Sequence, residues 1–484
     1  MRSRLSESHW KAAARTRILR LLGVLAAAFG VCCVGCGRSP RASERRNAQP
    51  RPNIILISID SLRADHLRCY GYERDTSPAI DALAADGALF EQAVAAAPWT
   101  LPSHASLLTS LHSRTHQAND PKRRLPRETV TLASVLKSSG YDTHAVVSGP
   151  FMQTRFGMNT GFETYDDELA RETHRESHAA VTSPAVHAKA EALLGSMKPP
   201  FFLFLHYWDV HYDYIPPEPY ARRFDPDYRG SISPTDFMQN KAISRKMPPR
   251  DLAHIVALYD GEIAWVDHHI GLLMDELKRR GLYDNAIIIL TADHGDEFFE
   301  HGGKGHQHSL YEELLHVPWI IKAPRVERGR RIAQRVSLID VMPTLLDALA
   351  LELPPTLQGR SVWPPALGGD LDPTPVFSET TKARKSHRNK RKSTSWAMYS
   401  GNRKLILFDK DRYPPELYDL ASDPRETRNL FGHSGDSAML SELKEWFGRT
   451  PVGVAALHEG LDAATLRDLE ALGYMGGGED DDEP

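Results

Sequence analysis

Cysteine is scarce in this 484-residue chain: Cys32, Cys33 and Cys36 fall together near the start, and only Cys69 lies in the body. A body with one thiol offers no intramolecular disulfide and no thiolate metal centre, so core packing must hold the fold. Excess charge of either sign is lacking as well. The formal net charge of -4 excludes a globally basic nucleic-acid binder. Long apolar runs are also missing, since Leu21 to Val34 is only 14 residues, short of the ~20 that span a bilayer. No internal repeat occurs. What remains is an ordinary globular composition, 41% hydrophobic and 25% charged, on a chain long enough for a large core.

The first twenty residues carry Arg2, Arg4, Lys11, Arg15, Arg17 and Arg20 against the single acid Glu7. With the apolar run that follows, this is the pattern of an export signal. The run ends at Gly35-Cys36, which is similar to a bacterial lipoprotein cleavage site. The expected product is an exported protein on the periplasmic or cell-surface side, anchored to the membrane through a lipid on Cys36. An uncleaved membrane anchor is the alternative, and the shortness of the run argues against it. Residues 37 to 52, rich in Arg, Ser and Pro, read as a linker.

Ile54 to Ile59 is an apolar, β-branched run, the pattern of a strand covered on both faces. The pattern returns at Ala145 to Val147, Phe201 to Leu205, Ala286 to Leu290 and Val317 to Ile321. Helices are expected between them. Ser77-Pro78 reads as an N-cap and first helical residue, apolar residues keep helical spacing from Ile255 to Leu277, and Ser337 to Leu349 is amphipathic. The alternation predicts an α/β sandwich with a mostly parallel central sheet, its site at the carboxyl ends of the strands. After about residue 375, short segments such as Lys404 to Phe408 and Glu416 to Leu420 predict a small antiparallel sheet. The expected division is therefore 53–375 for a catalytic domain, 376–475 for a C-terminal subdomain and 476–484 for a disordered acidic tail.

Two strands deliver charge at their carboxyl ends, Asp60 after the first and Asp293-His294-Gly295 after the fourth. Two carboxylates and an imidazole suit a divalent cation, although an Asp after a strand is commonly a helix cap. Pro98-Trp99-Thr100-Leu101-Pro102-Ser103-His104 precedes a helix start, where backbone amides favour anions. Thr100 is either the cap of that helix or a hydroxyl placed to meet a phosphate or sulfate group.

These segments resemble the sulfatase family of the alkaline phosphatase superfamily. Asn53 to Asp60 with Ser61 to Asp65, then Thr100 to His104, then Asp293 to Gly295 stand in the family's order. Further matches are Asp209-Val210-His211, Tyr259 to Glu262, Gly305 to Tyr311, Asp340 to Thr344 and Glu416 to Leu420, so the likeness covers residues 52 to 430. It implies an alkaline-phosphatase-like sandwich and a hydrolase of sulfate or phosphate esters. It also implies one divalent cation on Asp60, Thr100, Asp293 and His294, calcium by the family, with magnesium, manganese or zinc as alternatives. Thr100 would form a covalent intermediate, and Thr100, His104, His211 and His308 would be the catalytic set. Extra ligands for a second metal could come only from Asp209, His211, His306 and His308.

The chain departs from the pattern at Thr100, where sulfatases mature a Cys or Ser to formylglycine, and at His104, where they have arginine. Ser61 follows Asp60 in place of a second aspartate. A threonine nucleophile resembles the phosphorus-handling branches of the superfamily, so a phosphoglycerol or phosphoethanolamine-type transferase is one alternative. A non-catalytic glycan-binding lipoprotein is another. The expected partner is a sulfated or phosphorylated small molecule or glycan, with no nucleic acid. The basic run Lys382 to Lys392 reads as a solvated loop or as a clamp for a polyanion.

Overall fold

The computed structural model describes residues 50–172, 182–383, 393–409, 413–432 and 436–457. The export signal, Cys36, most of the linker, the basic run beyond Ala383 and the acidic tail lie outside the described residues. Among the described residues no helix is long and apolar enough to cross a membrane.

Every residue of β1 (Asn53–Ile59) is buried, as a continuous apolar strand requires. The further strands of its sheet are β2 (Ala88–Val94), β3 (Asp142–Val146), β4 (Thr164–Asp166), β5 (Phe201–Tyr207), β6 (Ala286–Ala292), β7 (His316–Lys322) and β8 (Arg330–Ile332). Their order is β8-β2-β7-β6-β1-β5-β3-β4, with Val336–Ser337 also pairing β2. β1 lies between β5 and β6 and runs parallel to both. All five apolar runs enter this sheet, but β7 is antiparallel to β6 and β2. A buried strand's hydrophobic pattern carries no direction, so sequence could not show this.

The helices are α1 (Pro78–Ala85), α2 (Thr100–Thr109), α3 (Ser183–Leu194), α4 (Pro249–Arg279) and α5 (Val341–Ala348). α1 and α3 pack on α4, and α2 packs on α5. Ser77 stands at the N-cap of α1 but its side chain does not cap it. Asp267 of α4 instead accepts the amides of Ala79 and Ile80 at 3.0 and 2.8 Å, which ties α1 to α4 through the amides left open at a helix start.

A second, four-stranded antiparallel sheet is built from β9 (Val376–Ala383), β10 (Ser393–Ser400), β11 (Arg403–Phe408) and β12 (Glu416–Asp419). Strand alternation sorts its side chains. Phe377, Met398, Leu405 and Leu417 form a small core with Met439, Leu443 and Trp446 of α6 (Asp436–Arg449). Val376, Ala397, Tyr399, Ile406 and Tyr418 join the main core. β9 is stitched to the segment before Thr100, because Ser378 Oγ donates to Ala95 O (2.6 Å) and Glu379 N to Ala96 O (3.1 Å).

Candidate active site

The carboxyl ends of β1 and β6 lie side by side, so Asp60 and Asp293 meet just beyond the sheet. The turn after β1 is shaped by Ser61, whose φ of 56° is left-handed for a side-chain-bearing residue. In that conformation Ser61 Oγ donates to Asp60 Oδ1 (3.0 Å) and Ser61 N to Asp293 Oδ1 (3.3 Å). Tyr259 of α4 locks the same turn, donating to Ser61 O and accepting from Arg63 N. Ser61 thus orients both carboxylates, in a place where a second aspartate would add charge. After β6, a Cβ at Gly295 would lie 2.2 Å from Glu313 O, so only glycine fits behind His294.

Thr100 is the first residue of α2, and Trp99 is the N-cap, without a side-chain cap bond. The capping reading of Thr100 is therefore replaced by another contact. Its Oγ1 donates to Asp60 Oδ2 at 3.3 Å and lies 3.5 Å from His294 Nε2. His294 Nε2 is in turn 3.3 Å from Asp293 Oδ2 and 3.6 Å from Asp60 Oδ1. Four donor side chains thus converge in a space with no solvent exposure. Burial raises Asp60 to about 7 despite the nearby His294, and burial together with Asp60 raises Asp293 well above the carboxylate range. Burial lowers His294 to about 4. Asp293 Oδ2 is buried without a hydrogen-bond partner.

The other predicted catalytic residues fall in different places. His104 is wholly buried behind the carboxylates, its Nδ1 donating to Thr100 O (3.0 Å) and its Nε2 accepting from Ser58 Oγ (2.9 Å). Both ring nitrogens serve the framework, and burial with the neighbouring His206 keeps the ring neutral. His211 stacks on Trp208 and its Nδ1 donates to Tyr212 O (2.6 Å). His308 pairs with Glu297 at 2.7 Å; burial opposes its protonation but Glu297 outweighs burial, so its pKa is raised. Asp209 caps α3, accepting from Thr182 N, Ser183 N and Trp265 Nε1.

Two residues of the site, His206 and Asp296, carried no role from sequence. His206 accepts Gly149 N–H on Nδ1 (3.2 Å), which leaves its Nε2–H facing Asp60 Oδ2 at 3.3 Å. It was hidden inside the apolar run of β5. Asp296 holds His306 Nδ1 at 2.6 Å, and both are fully or nearly buried. Lys382, the first residue of the basic run, is buried in the body, 3.9 Å above the Trp99 ring and 2.9 Å from Gln307 Oε1. That lysine departs from the solvated-loop reading.

A hydroxyl at a helix start, beside a buried pair of carboxylates at the carboxyl edge of a mostly parallel sheet, is the setting of an ester hydrolase with the alkaline-phosphatase-like fold. A profile described as Sulfatase matches residues 52–351, and one described as N-sulphoglucosamine sulphohydrolase, C-terminal, matches residues 300–450. The chain belongs to the sulfatase family. It is 21% identical over 445 residues to arylsulfatase K of Xenopus laevis, covering 82% of each chain. It is 24% identical to N-acetylglucosamine-6-O-sulfatase of Bacteroides thetaiotaomicron, covering 84% of this chain and 88% of that one. Among solved structures, a phosphonate monoester hydrolase of Agrobacterium radiobacter aligns with a TM-score of 0.68 at 23% identity, over 82% of this chain and 95% of that chain. A protein crystallised with D-glucosamine-2-N,6-O-disulfate as its substrate aligns with a TM-score of 0.67 at 21% identity, over 83% and 97%. These structural likenesses speak for the fold.

Proposed function

We propose that this chain hydrolyses sulfate or phosphate-type esters through a covalent intermediate on Thr100, with a divalent cation held by Asp60, Thr100, Asp293 and His294. The observation that carries the reading is the convergence of the Thr100 hydroxyl, two carboxylates and one imidazole within 3.3–3.6 Å in a fully buried space. The residues fit a cation. Asp293 Oδ2 is an orphaned buried acceptor, and two raised carboxylates side by side are costly to ionise without a positive partner. His294 donates its Nδ1–H to Gly295 O (3.0 Å), which leaves Nε2 as a lone-pair donor atom. An imidazole beside oxygen donors suits zinc or manganese better than the calcium expected by family, which takes oxygen ligands. When bound, the cation lowers the pKa of the attacking hydroxyl and offsets charge on the transferring group.

Thr100 Oγ attacks the sulfur or phosphorus opposite the ester oxygen and its proton passes to water. The ester bond breaks, the departing alkoxide takes a proton from water and leaves as the alcohol, and a second water then cleaves the threonine ester to regenerate the hydroxyl and release the free anion. The start of α2, at Thr100 and Leu101, favours an anionic group. Lys382 adds positive charge on the same side, which supports an anionic substrate. The relative named N-acetylglucosamine-6-O-sulfatase and the structure holding a disulfated glucosamine favour a sulfated or phosphorylated glycan or small molecule over a transferase role or a non-catalytic binding role. With its leader, the chain acts as an exported, lipid-anchored hydrolase.

Thr100→Ala and Thr100→Ser, assayed on aryl sulfate, phosphate monoester, phosphate diester and phosphonate substrates, test the nucleophile. Alanine is expected to abolish turnover with the fold intact, at the ~0.5–1.5 kcal/mol of the lost hydrogen bond to Asp60, and serine to retain part of the rate. Parental turnover by Thr100→Ala would place the nucleophile elsewhere.

A further inference from the structure

We propose that Lys304 is a positioning residue for the centre: with Asp213 it latches the long connection between β5 and α4, and the latch sets Tyr212 beside His306 and Tyr214 beside Asp296. The inference deepens the function proposed above. Its effect on turnover rests on that reading, whereas the latch itself does not.

The connection from β5 to α4 carries as its regular structure the 3-10 turn Tyr220–Arg222. Backbone with so little regular structure must find partners elsewhere when it is buried, and long loops of this kind commonly carry function. Within it Asp236 to Ile243 folds as a compact turn. Gln239 N and Asn240 N donate to Asp236 O (2.8 and 2.7 Å), and Ile243 N donates to Asn240 O (3.2 Å). Like a helix end, such a turn leaves amides open at its start and carbonyls open at its finish.

Two side chains from outside the turn take these groups. Asp213 accepts Asp236 N on Oδ2 (2.6 Å) and Phe237 N on Oδ1 (2.7 Å). Lys304 takes the carbonyls, its Nζ donating to Phe237 O, to Asn240 O at 3.1 Å and to Ile243 O at 2.8 Å. An ammonium has three donors and no acceptor, so its capacity is matched to the turn. Lys304 is only 5% exposed. Burial lowers it to about 8, with Asp213 opposing the fall, so the ammonium persists at neutral pH.

The latched turn leads back to the centre through a chain of rings. Phe237 stacks on Tyr212 with ring centres 5.7 Å apart, Tyr212 stacks on His306 at 5.0 Å, and His306 packs on His294 at 4.3 Å. Tyr214, edge-on to Phe237 at 5.1 Å, donates its Oη to Asp296 Oδ2 (2.7 Å). Lys304 itself stands in the short hairpin that pairs Glu297–Phe298 with Lys304–Gly305, between Asp296 and His306 in the chain. The hairpin and the turn are closely fitted at Gly305, where φ is 68° and a Cβ would lie 2.7 Å from Met238 Sδ. Lys304 therefore acts on the neighbours of His294 through the turn and its rings. Release of the turn lets Tyr212 and Tyr214 drift, and a misplacement of about 1 Å around reacting groups can cost ~100-fold in rate.

The test compares the full-length parent, purified in detergent, with Lys304→Met, Asp213→Ala and the double variant. Methionine keeps the length of the stem and removes the three donors. Trypsin cuts after Lys241, Arg245 and Lys246, which are exposed within the latched turn or just beyond it, and cutting requires the backbone to open locally. Both single variants are expected to be cut there about tenfold faster than the parent, with cleavage after Arg127, exposed elsewhere on the body, unchanged. On the best substrate of the panel both are expected to lose about tenfold in kcat/KM, and the double variant no more than the worse single, because residues acting through one latch are not additive. Parental cleavage after Lys241 in folded Lys304→Met, judged by unchanged circular dichroism, would overturn the latch. Faster cleavage with parental kcat/KM would overturn the positioning role, as would a double variant whose losses multiply. A parent that turns over no substrate would overturn the proposed function and the positioning role with it, while the cleavage rates still decide the latch.

Discussion

Asp293→Asn separates the electrostatic cost of the bare carboxylate pair from the benefit of a cation between them. In the metal-free protein, burial raises Asp60 to about 7, and burial with Asp60 raises Asp293 well above the carboxylate range. An unfolded aspartate titrates near 3.9. Between about pH 4 and pH 7 the native state therefore holds protons that the unfolded chain has released, so stability of the metal-free protein falls as pH rises through that window. For Asp60 alone, a shift of about 3 units at ~1.4 kcal/mol each sets a ceiling of about 4 kcal/mol, reached above pH 7. Asparagine keeps an Oδ1 to accept from Ser61 N and His294 N, as Asp293 does, and removes the charge. The metal-free variant is therefore expected to melt several degrees above the metal-free parent at pH 8, at roughly 2 °C per kcal/mol or less for a chain this large. The gap should narrow at pH 5, and the variant should lose the rise in melting temperature that Zn2+ or Mn2+ gives the parent. Thermal melts of chelated and reloaded protein at both pH values measure all three effects. A metal-free variant melting below the metal-free parent at pH 8, or a metal-free parent equally stable at pH 5 and 8, would refute the electrostatic reasoning.

Burial opposes the protonation of His301, but Glu313 at 2.7 Å and Glu426 outweigh it and raise the imidazole to about 9. Its contribution, up to ~3 kcal/mol before solvent screening, is present below about pH 6.5 and lost as pH rises through 9, so the alkaline fall in melting temperature of the metal-loaded parent should shrink in His301→Gln. Lys382→Met is expected to raise KM for an anionic ester about tenfold with less change in kcat, and Lys382→Arg to recover part of it. An unchanged KM would remove Lys382 from the substrate side.

The central sheet was legible because buried parallel strands are written as unbroken apolar runs, and β1, β5 and β6 read that way. The direction of β7 was not, because the same run suits either polarity. Asp60, Asp293 and His294 were legible as charges ending apolar strands. His206 was not, since an imidazole inside Phe201–Tyr207 looks like one polar interruption of a strand, and its contact with Asp60 depends on the pairing of β1 with β5. Lys382 was masked by its company. Seven basic residues in eleven read as a solvated run, and only the docking of β9 against Ala95 and Ala96 turns the first of them inward.

One feature of the Thr100 motif follows from matching two periods. Alternate residues of a strand share a face and rise ~6.6 Å, while residues four apart on a helix share a face and rise ~6.0 Å. Ser58 and Asp60 are such a strand pair, and Thr100 and His104 such a helix pair. The near-equal rises let both contacts form together, Asp60 with Thr100 at 3.3 Å and Ser58 with His104 at 2.9 Å. His104 therefore fixes the angle at which α2 presents Thr100 to Asp60, in the place where the family motif has arginine. Because its ring is neutral and both nitrogens are engaged, it does this without bringing a fixed positive charge beside Asp293, which lies 3.4 Å away. Under the proposed function, the positive charge that the buried carboxylates require is left to the cation, and the placement of the Thr100 hydroxyl to two uncharged hydrogen bonds of His104.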